Sequence, residues 1–436
     1  MQKGQWLSDP LARTHGPGGP VPLKTERIIS QGVDKTQQSK SADSKTIEVL
    51  PPEEAVNFTT EQLQAIWAAY EWINLRYMFV MYPPSIYSLS KRDLLQKDGF
   101  FDHVNVIPIF NSKDKRIPIG PMWMKSKWRN KCKELVYEPA AVPGKLADGR
   151  YNQYRPPVGL KPEKGDVSAW NEVLAHMIPN EADRKFLEQW IACGLQRPGI
   201  KMFSAPVLWS SMTGSGKNLL VETVGSLYGD NFLTASDSDL ADNFNDWAHH
   251  RQLVFLDEAL SAGTRQEASM MKRLITRTKA RINEKYKPKY EVRDCINYIV
   301  ASNNPDAVRI ENNDRRYWVV RVSEKKVSED LVKRILKLRE GAGRNALFDH
   351  MLRVDLTGFN PHAEPPVTED KKMMEEASKS DLETFVSQVM EDMKRGERSE
   401  ITTIEQDLQL EFDSQQRGRA SIDILQRFSK HMVQLV

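Results

Sequence analysis

Cysteine is scarce: three stand in 436 residues, Cys132, Cys193 and Cys295, far apart and odd in number. No CxxC pair occurs, which excludes a zinc ribbon and a disulfide framework and leads to the expectation of a reducing cytoplasm. Long apolar runs are also missing. No stretch approaches the roughly eighteen apolar residues of a membrane-spanning helix, so none is expected, and the amino terminus has no apolar segment of the secretory kind. A charge excess is missing as well. The 62 Lys+Arg face 59 Asp+Glu for a net +3, so the overall balance says little about partners and local clusters matter more. The histidines are scattered; His249 and His250 are adjacent but no third ligand stands near them, so a metal site there is not expected.

What is present begins with residues 206–218, PVLWSSMTGSGKN. Val207-Leu208-Trp209 reads as a strand, Asn218-Leu219-Leu220-Val221-Glu222 as a helix, and between them lies a Gly-rich turn ending in Lys217. Backbone N–H groups at a helix N-terminus, together with one ammonium, hold phosphate oxygens. Gly214 and Gly216 permit the tight approach. The pattern departs twice from G-x-x-x-x-G-K-[ST]: Ser211 holds the first glycine place and Asn218 holds the hydroxyl place. An amide oxygen is still a hard oxygen ligand, with a different reach. The bland reading is a Gly/Ser-rich connector with an incidental lysine.

Leu253-Val254-Phe255-Leu256 leads into Asp257-Glu258. A buried strand that delivers two carboxylates to its end needs a cation there. In the nucleotide reading Asp257 holds magnesium through water and Glu258 polarises the attacking water. Ile296 to Asn303 is a further β-rich run. In a parallel sheet it would place Asn303 beside Asp257, at the strand ends where ligands bind, to sense the γ-phosphate or orient the water. Asn303-Asn304-Pro305-Asp306 is also good turn sequence, and both readings can hold together. Arg315 and Arg316 then precede an aromatic, β-branched strand. In a ring, one of them could reach a neighbour's γ-phosphate; the alternative is a surface pair bound to Asp314 and Glu311. Between these strands, residues 271–293 carry nine Lys/Arg against two Glu. Lys287-Pro288 suits a hairpin tip, and basic groups beside aromatics track a phosphate backbone. A solvated face is the alternative.

The order of these pieces resembles the superfamily 3 helicases of viruses and phages, above all the helicase portion of phage and prophage poxvirus-type primase–helicases. The pieces are a GSGKN loop, an apolar run ending Asp-Glu, a basic hairpin, an apolar strand ending Ser302-Asn303, and Asp314-Arg315-Arg316. Phe244-Asn245, Asp355 to Pro361 and Pro365 to Thr368 fit the same pattern. The likeness runs from about residue 120 to 380 and is strongest between 200 and 322. It implies an α/β fold with an AAA+-like P-loop ATPase core, ring assembly, most often a hexamer, and translocation on single-stranded or forked DNA with ATP and Mg2+ as cofactors. By position, Thr213, Gly214, Ser215, Gly216, Lys217, Asn218 and Leu219 would bind the nucleotide. Asn218 and Asp257 would hold magnesium, Asp257 and Glu258 would be the acidic pair, Asn303 the sensor, and Arg315 or Arg316 the finger. Lys285 with Tyr286, Lys287 and Lys289 would grip DNA. Ser211 in the glycine place bears on loop geometry. A phage origin implies action in the cytoplasm of a bacterial host, with a separate primase or replisome proteins as partners and no membrane.

Around this centre, residues 1–50 read as a disordered tail and 51–160 as a small mixed amino-terminal domain with a possible DNA contact. Residues 161–200 read as a helical collar, 201–325 as the ATPase core, 326–361 as a helical lid, 362–380 as a linker, and 381–436 as a helical or winged-helix-like segment. The last helix of that segment has no polar exit, so the chain is expected to continue. In the amino-terminal domain, Leu63, Ile66, Trp67, Tyr70, Ile73 and Tyr77 give a helix over 60–77 with Thr59 and Gln62 as a capping box. Leu89 to Leu95 gives another short helix. Residues 113–133 carry Lys113, Lys115, Arg116, Lys125, Lys127, Arg129, Lys131 and Lys133 with Trp123 and Trp128 interleaved, as a single-stranded nucleic acid requires; the alternative places the tryptophans in the core. Ser168 is expected to cap one collar helix, and Glu181 to Leu195 to form the next. The competing function is a non-translocating, ATP-dependent origin-binding initiator or replisome-assembly factor built on the same fold.

Overall fold

The computed structural model describes residues 50–236, 239–240, 246–257, 265–283, 290–303, 310, 314–378 and 395. Nearly all of the expected tail, and all of the expected carboxy-terminal segment except Arg395, lie outside that set.

The amino-terminal unit starts with α1 (Pro52–Ala55) and α2 (Thr60–Asn74). Thr59 caps α2 as expected: its hydroxyl accepts from Gln62 N at 3.3 Å, and Gln62 Oε1 accepts from Thr59 N at 2.9 Å. Ile66, Ala69, Tyr70 and Ile73 form the buried stripe of this helix, following the periodicity of the sequence. A four-stranded sheet packs beside it, made of β1 (Tyr77–Val80), β2 (Ser85–Ser88), β3 (Asp93–Leu95) and β4 (Lys131–Cys132) in the order β3-β2-β1-β4. Helices α3 (Lys97–Val104) and α4 (Ile119–Lys125) complete the unit. The short helix expected over Leu89–Leu95 is corrected. That segment turns through Arg92, whose φ is 58°, and pairs β3 antiparallel with β2; pairing with a neighbouring strand overrides local helical spacing. Trp123 and Trp128 divide. Trp123 is fully buried and donates to Asn74 Oδ1, whereas Trp128 is 41% exposed. A small sheet of β5 (Leu135–Val136), β6 (Gly144–Lys145) and β7 (Tyr151–Asn152) leads toward the core.

The collar helices are α5 (Ser168–Met177) and α6 (Glu181–Gln196). Ser168 is not the cap of α5. It is the first helical residue, with Val167 at the cap position and Asp166 accepting from Ser168 N and Oγ at 2.8 and 3.0 Å.

The core is a five-stranded sheet in which every neighbouring pair is parallel. Its strands are β8 (Ala205–Trp209), β9 (Phe232–Ala235), β10 (Leu253–Asp257), β13 (Asn297–Ser302) and β14 (Tyr317–Arg321), in the order β14-β8-β13-β10-β9. Helix α7 (Lys217–Ser226) follows β8, and α8 (Arg265–Thr276) precedes the hairpin of β11 (Lys279–Ile282) and β12 (Tyr290–Arg293). Then come α9 (Glu329–Leu338), α10 (Gly341–Arg353) and α11 (Glu369–Ala377). The strands are apolar on both faces, as a covered parallel sheet requires. Leu208, Phe255, Ile299, Trp318 and Val320 face a core shared with α5, α6, α7, α9 and α10. Val207, Val254, Leu256, Tyr298 and Val319 face a second core containing Met271 and Leu274 of α8, Ala280 and Ile282 of the hairpin, and Met374 of α11. The fold is therefore mixed α/β around a parallel sheet. No described helix is long and apolar enough to cross a membrane.

Helix α11 lies inside the stretch expected to be linker. Thr368 caps it, Thr368 Oγ1 bonds Val319 O, and Lys371 Nζ donates to Asp314 O at 2.5 Å. The helix covers β14, an edge strand that would otherwise present unpaired backbone groups. At the amino-terminal rim of the sheet, Lys201 Nζ donates to Asp294 Oδ1 at 3.0 Å and to Leu274 O and Ile296 O, while Arg277 Nε donates to Asp294 Oδ2 at 2.5 Å. Both Lys201 and Asp294 are buried. Removing one partner of such a pair strands the other charge. Asp294→Ala is therefore expected to lower unfolding free energy by about 3–5 kcal/mol in urea titrations; a loss near zero would contradict a buried charged pair at this place.

Candidate functional site

Strand direction builds the site. All five core strands point the same way, so their carboxyl ends share one rim, and the loop after β8, Asp257 at the end of β10 and Asn303 after β13 all lie on it. The loop closes on α7, whose N-cap residue Gly216 has φ +100°; Gly214 has φ +80°. Both values are in the region that favours glycine. A Cβ on Gly216 would stand 2.6 Å from Val327 Cγ2, so space as well as backbone geometry demands glycine there.

Two side-chain contacts tie the rim together. Lys217 is buried, and its Nζ donates to Asn303 Oδ1 at 2.7 Å, with Ser215 Oγ at 3.3 Å and Met212 O at 3.4 Å. Asn218 Nδ2 donates to Asp257 Oδ2. Residues far apart in the chain thus meet at the amino end of one helix, which also carries the partial positive charge of its unpaired N–H groups. Thr213 and Gly214 are exposed on the outer bend, Ser215 is buried beneath them, and Leu219 begins the packed side of α7. The donor set suits a bound nucleotide: an ammonium, helix N–H groups, and an amide and a carboxylate oxygen for magnesium.

Ser211 has a use that the sequence pattern did not show. Its hydroxyl donates to Glu324 Oε1 at 2.8 Å, and Glu324 also meets Arg321. The Ser211 hydrogen bond and the Arg321 guanidinium hold the Glu324 carboxyl below the usual glutamate range. The chain after β14 flanks the loop: Val327 N donates to Gly214 O at 3.4 Å, and Lys325 O lies 3.0 Å from His176 Nε2 of α5. Lys325 and Lys326 are exposed beside the loop. No sequence motif marks these residues; only Ser in a glycine place hinted at them.

Arg315 and Arg316 are not brought to this rim. They precede β14, and Ala205 N donates to Arg316 O at 2.8 Å, so they lie at the amino-terminal ends of the strands. A strand of five residues puts roughly 13 Å between the two rims. Arg316 is paired with buried Asp314 at 3.3 Å, which also receives Lys272 at 3.4 Å, whereas Arg315 is exposed. Glu258, Lys285, Tyr286, Lys287 and Lys289 lie outside the described residues. The stem of the basic hairpin is described: Lys279 pairs with Arg293 and Ile282 with Tyr290 in register, and Lys279, Arg281 and Arg293 are exposed along it.

Residues 208–316, from within β8 to the edge of β14, match a family of unknown function, DUF5906. Over 121 residues the chain is 32% identical to the DNA primase-polymerase of Nitratiruptor phage NrS-1, an alignment of 26% of this chain and 17% of that protein. The chain thus matches less than a fifth of that relative's length. The apo structure of the NrS-1 C-terminal region superposes with a TM-score of 0.60 at 18% identity, covering 83% of this chain and 92% of that one. An A-form apo structure of the same region gives 0.56 at 20% identity, over 73% and 79%. These superpositions establish a shared fold.

Gly216→Ala is expected to cost at least about 1–2 kcal/mol of stability, from left-handed backbone alone, plus the clash with Val327. Adding Val327→Ala should recover part of the loss. Urea denaturation of the single and double variants checks this, and a neutral Gly216→Ala would contradict the loop geometry.

Proposed function

We propose that this chain is the ATP-driven DNA motor of a phage or mobile-element replication protein: a superfamily 3 type helicase with an AAA+-like core that hydrolyses Mg-ATP as a ring and translocates on single-stranded or forked DNA. The observation that carries this reading is the meeting of Lys217, Asn218, Asp257 and Asn303 on one rim of a parallel sheet. The partial likeness to a phage DNA primase-polymerase supports a setting in DNA replication.

The residues divide the work as follows. Helix α7 and Lys217 receive the β- and γ-phosphates, and Asn303, now the acceptor of Lys217, is placed to register whether a γ-phosphate competes for that ammonium. Asn218 and Asp257 are the residues that would hold magnesium, and the chemistry magnesium supplies when bound is neutralisation of phosphate charge. Glu258, next in sequence to Asp257, is the candidate to orient the attacking water. Of the two arginines, Arg315 is the better finger: it is exposed on the opposite rim, free of the Asp314 pair that holds Arg316, and from there it would act on a neighbouring subunit's site. The basic hairpin is the DNA grip. Its base and Asn303 are the two ends of one strand, β13, so a change at the phosphate has a short covalent route to the DNA.

Hydrolysis is expected to be stimulated by DNA and to fall by about a hundredfold or more in Lys217→Ala and Glu258→Gln, the scale of losing one preorganised charge-stabilising group. Lys285→Ala should keep basal hydrolysis and lose unwinding of a forked duplex. Normal unwinding by Lys285→Ala would contradict the hairpin role. DNA binding without any strand displacement by the wild-type protein would favour an initiator or assembly factor over a motor.

A further inference from the structure

A cluster of arginines and histidines lies on the rim opposite the nucleotide loop, where the amino-terminal unit meets the core. His249, His250 and Arg251 lead into β10 and Asp230 into β9; Arg92 comes from the turn between β2 and β3, and Gln153 and Arg155 follow β7. The seam is built: Tyr137 Oη donates to Asn231 Oδ1 at 2.7 Å, and Asn231 Nδ2 donates to Arg155 O at 2.9 Å. Arg92 Nη2 donates to Gln153 O at 2.9 Å, Arg155 Nη2 to Leu89 O at 2.5 Å, and Arg251 Nη1 to Asp230 O. The two histidine rings stack with centroids 3.4 Å apart.

Three buried nitrogens in this cluster, Arg92 Nε, Arg251 Nε and His250 Nε2, have no hydrogen-bond partner among the described residues. Buried polar groups are rarely left so, and here they come from two segments distant in sequence, Arg92 and His250-Arg251. Arg92 and His250 also hold left-handed backbone, at φ 58° and 61°, a strain that other contacts must sustain. The carboxylate beside them, Asp230, sits 3.9 Å from Arg92 with its side chain 83% exposed. Burial, then His249, Arg92, Arg251 and Arg155, hold the His250 ring far below the usual histidine range. The place is both positive and short of acceptors. The two guanidinium groups bring unmet N–H groups from two separate segments, and guanidinium forks fit the several oxygens of a phosphate well. Arg155 and Asp230 at its edge are exposed.

We propose that Arg92, His250 and Arg251, with Arg155 at the mouth, form a phosphate-binding site at the seam between the amino-terminal unit and the core, separate from the Lys217 loop. Its ligand is a phosphate group, supplied either by a nucleic-acid backbone or by a free phosphate. Because its residues come from both sides of the seam, the bound group would tie the two units together.

The test uses the full chain carrying Lys217→Ala, which removes the loop ammonium from the response and keeps the outcome independent of the motor reading. Inorganic phosphate, against chloride at equal ionic strength, is expected to raise the melting temperature. Arg92→Gln and Arg251→Gln should each raise the half-effective phosphate concentration about tenfold, the scale of one charge-assisted contact. If those variants do not fold, Arg155→Gln is read instead, with the same direction. Weaker binding of a single-stranded phosphodiester oligonucleotide in these variants, with no difference for its methylphosphonate counterpart, assigns the ligand to a nucleic-acid backbone. Unchanged oligonucleotide binding with a weakened phosphate response assigns it to a free phosphate. No phosphate effect on the Lys217→Ala protein, or an effect equal in the arginine variants, overturns the proposal.

Discussion

The hydrogen bond from Lys217 to Asn303, with that from Asn218 to Asp257 beside it, depends on one constraint: the core strands all run in the same direction. Parallel strands deliver their carboxyl ends to a single edge, and the order β14-β8-β13-β10-β9 sets β13 directly against β8 and β10 against β13. The loop, the acid and the amide are brought together by register and not by proximity in the chain. Reversing any of these strands would carry its terminal residue to the far rim.

The same constraint separates the side-chain clusters by rim. The carboxyl rim holds the Gly-rich loop with Lys217, Asn218, Asp257 and Asn303. The amino rim holds the base of the basic hairpin, the start of β14 with Arg315, and the seam with the amino-terminal unit. Strand β13 joins the two, with Asn303 at one end and the Asp294–Lys201–Arg277 network at the other. That network matters because charges buried there are stable only together; it fixes the hairpin base to the sheet instead of leaving it as a tethered arm. Helix α11, docked on β14 through Lys371 and Met374, secures the outer edge.

Legibility in the sequence followed how local the information was. The Gly-rich loop, the three apolar strands and the capping box at Thr59 are encoded within a few consecutive residues, and the structure has those elements at those places. Leu89–Leu95 was misleading because its strand exists only through pairing with β2. Residues 369–377 sat in a Pro- and charge-rich stretch that resembles a linker, and their two buried anchors, Lys371 and Met374, have meaning only beside β14. Trp123 and Trp128 looked equivalent in a basic run, yet one fills the core and the other reaches solvent. The Glu324 end of the Ser211 tether and the meeting of Arg92 with His250-Arg251 carry no motif, because the partners lie far apart in the chain.

The most direct measurement of the central claim is a structure of the protein with magnesium and a non-hydrolysable ATP analogue. The triphosphate is expected over residues 214–218, with Lys217 Nζ drawn from Asn303 onto the phosphates and a magnesium ion between Asn218 and Asp257. An analogue bound elsewhere, or a Lys217–Asn303 contact unchanged at saturating analogue, would contradict it.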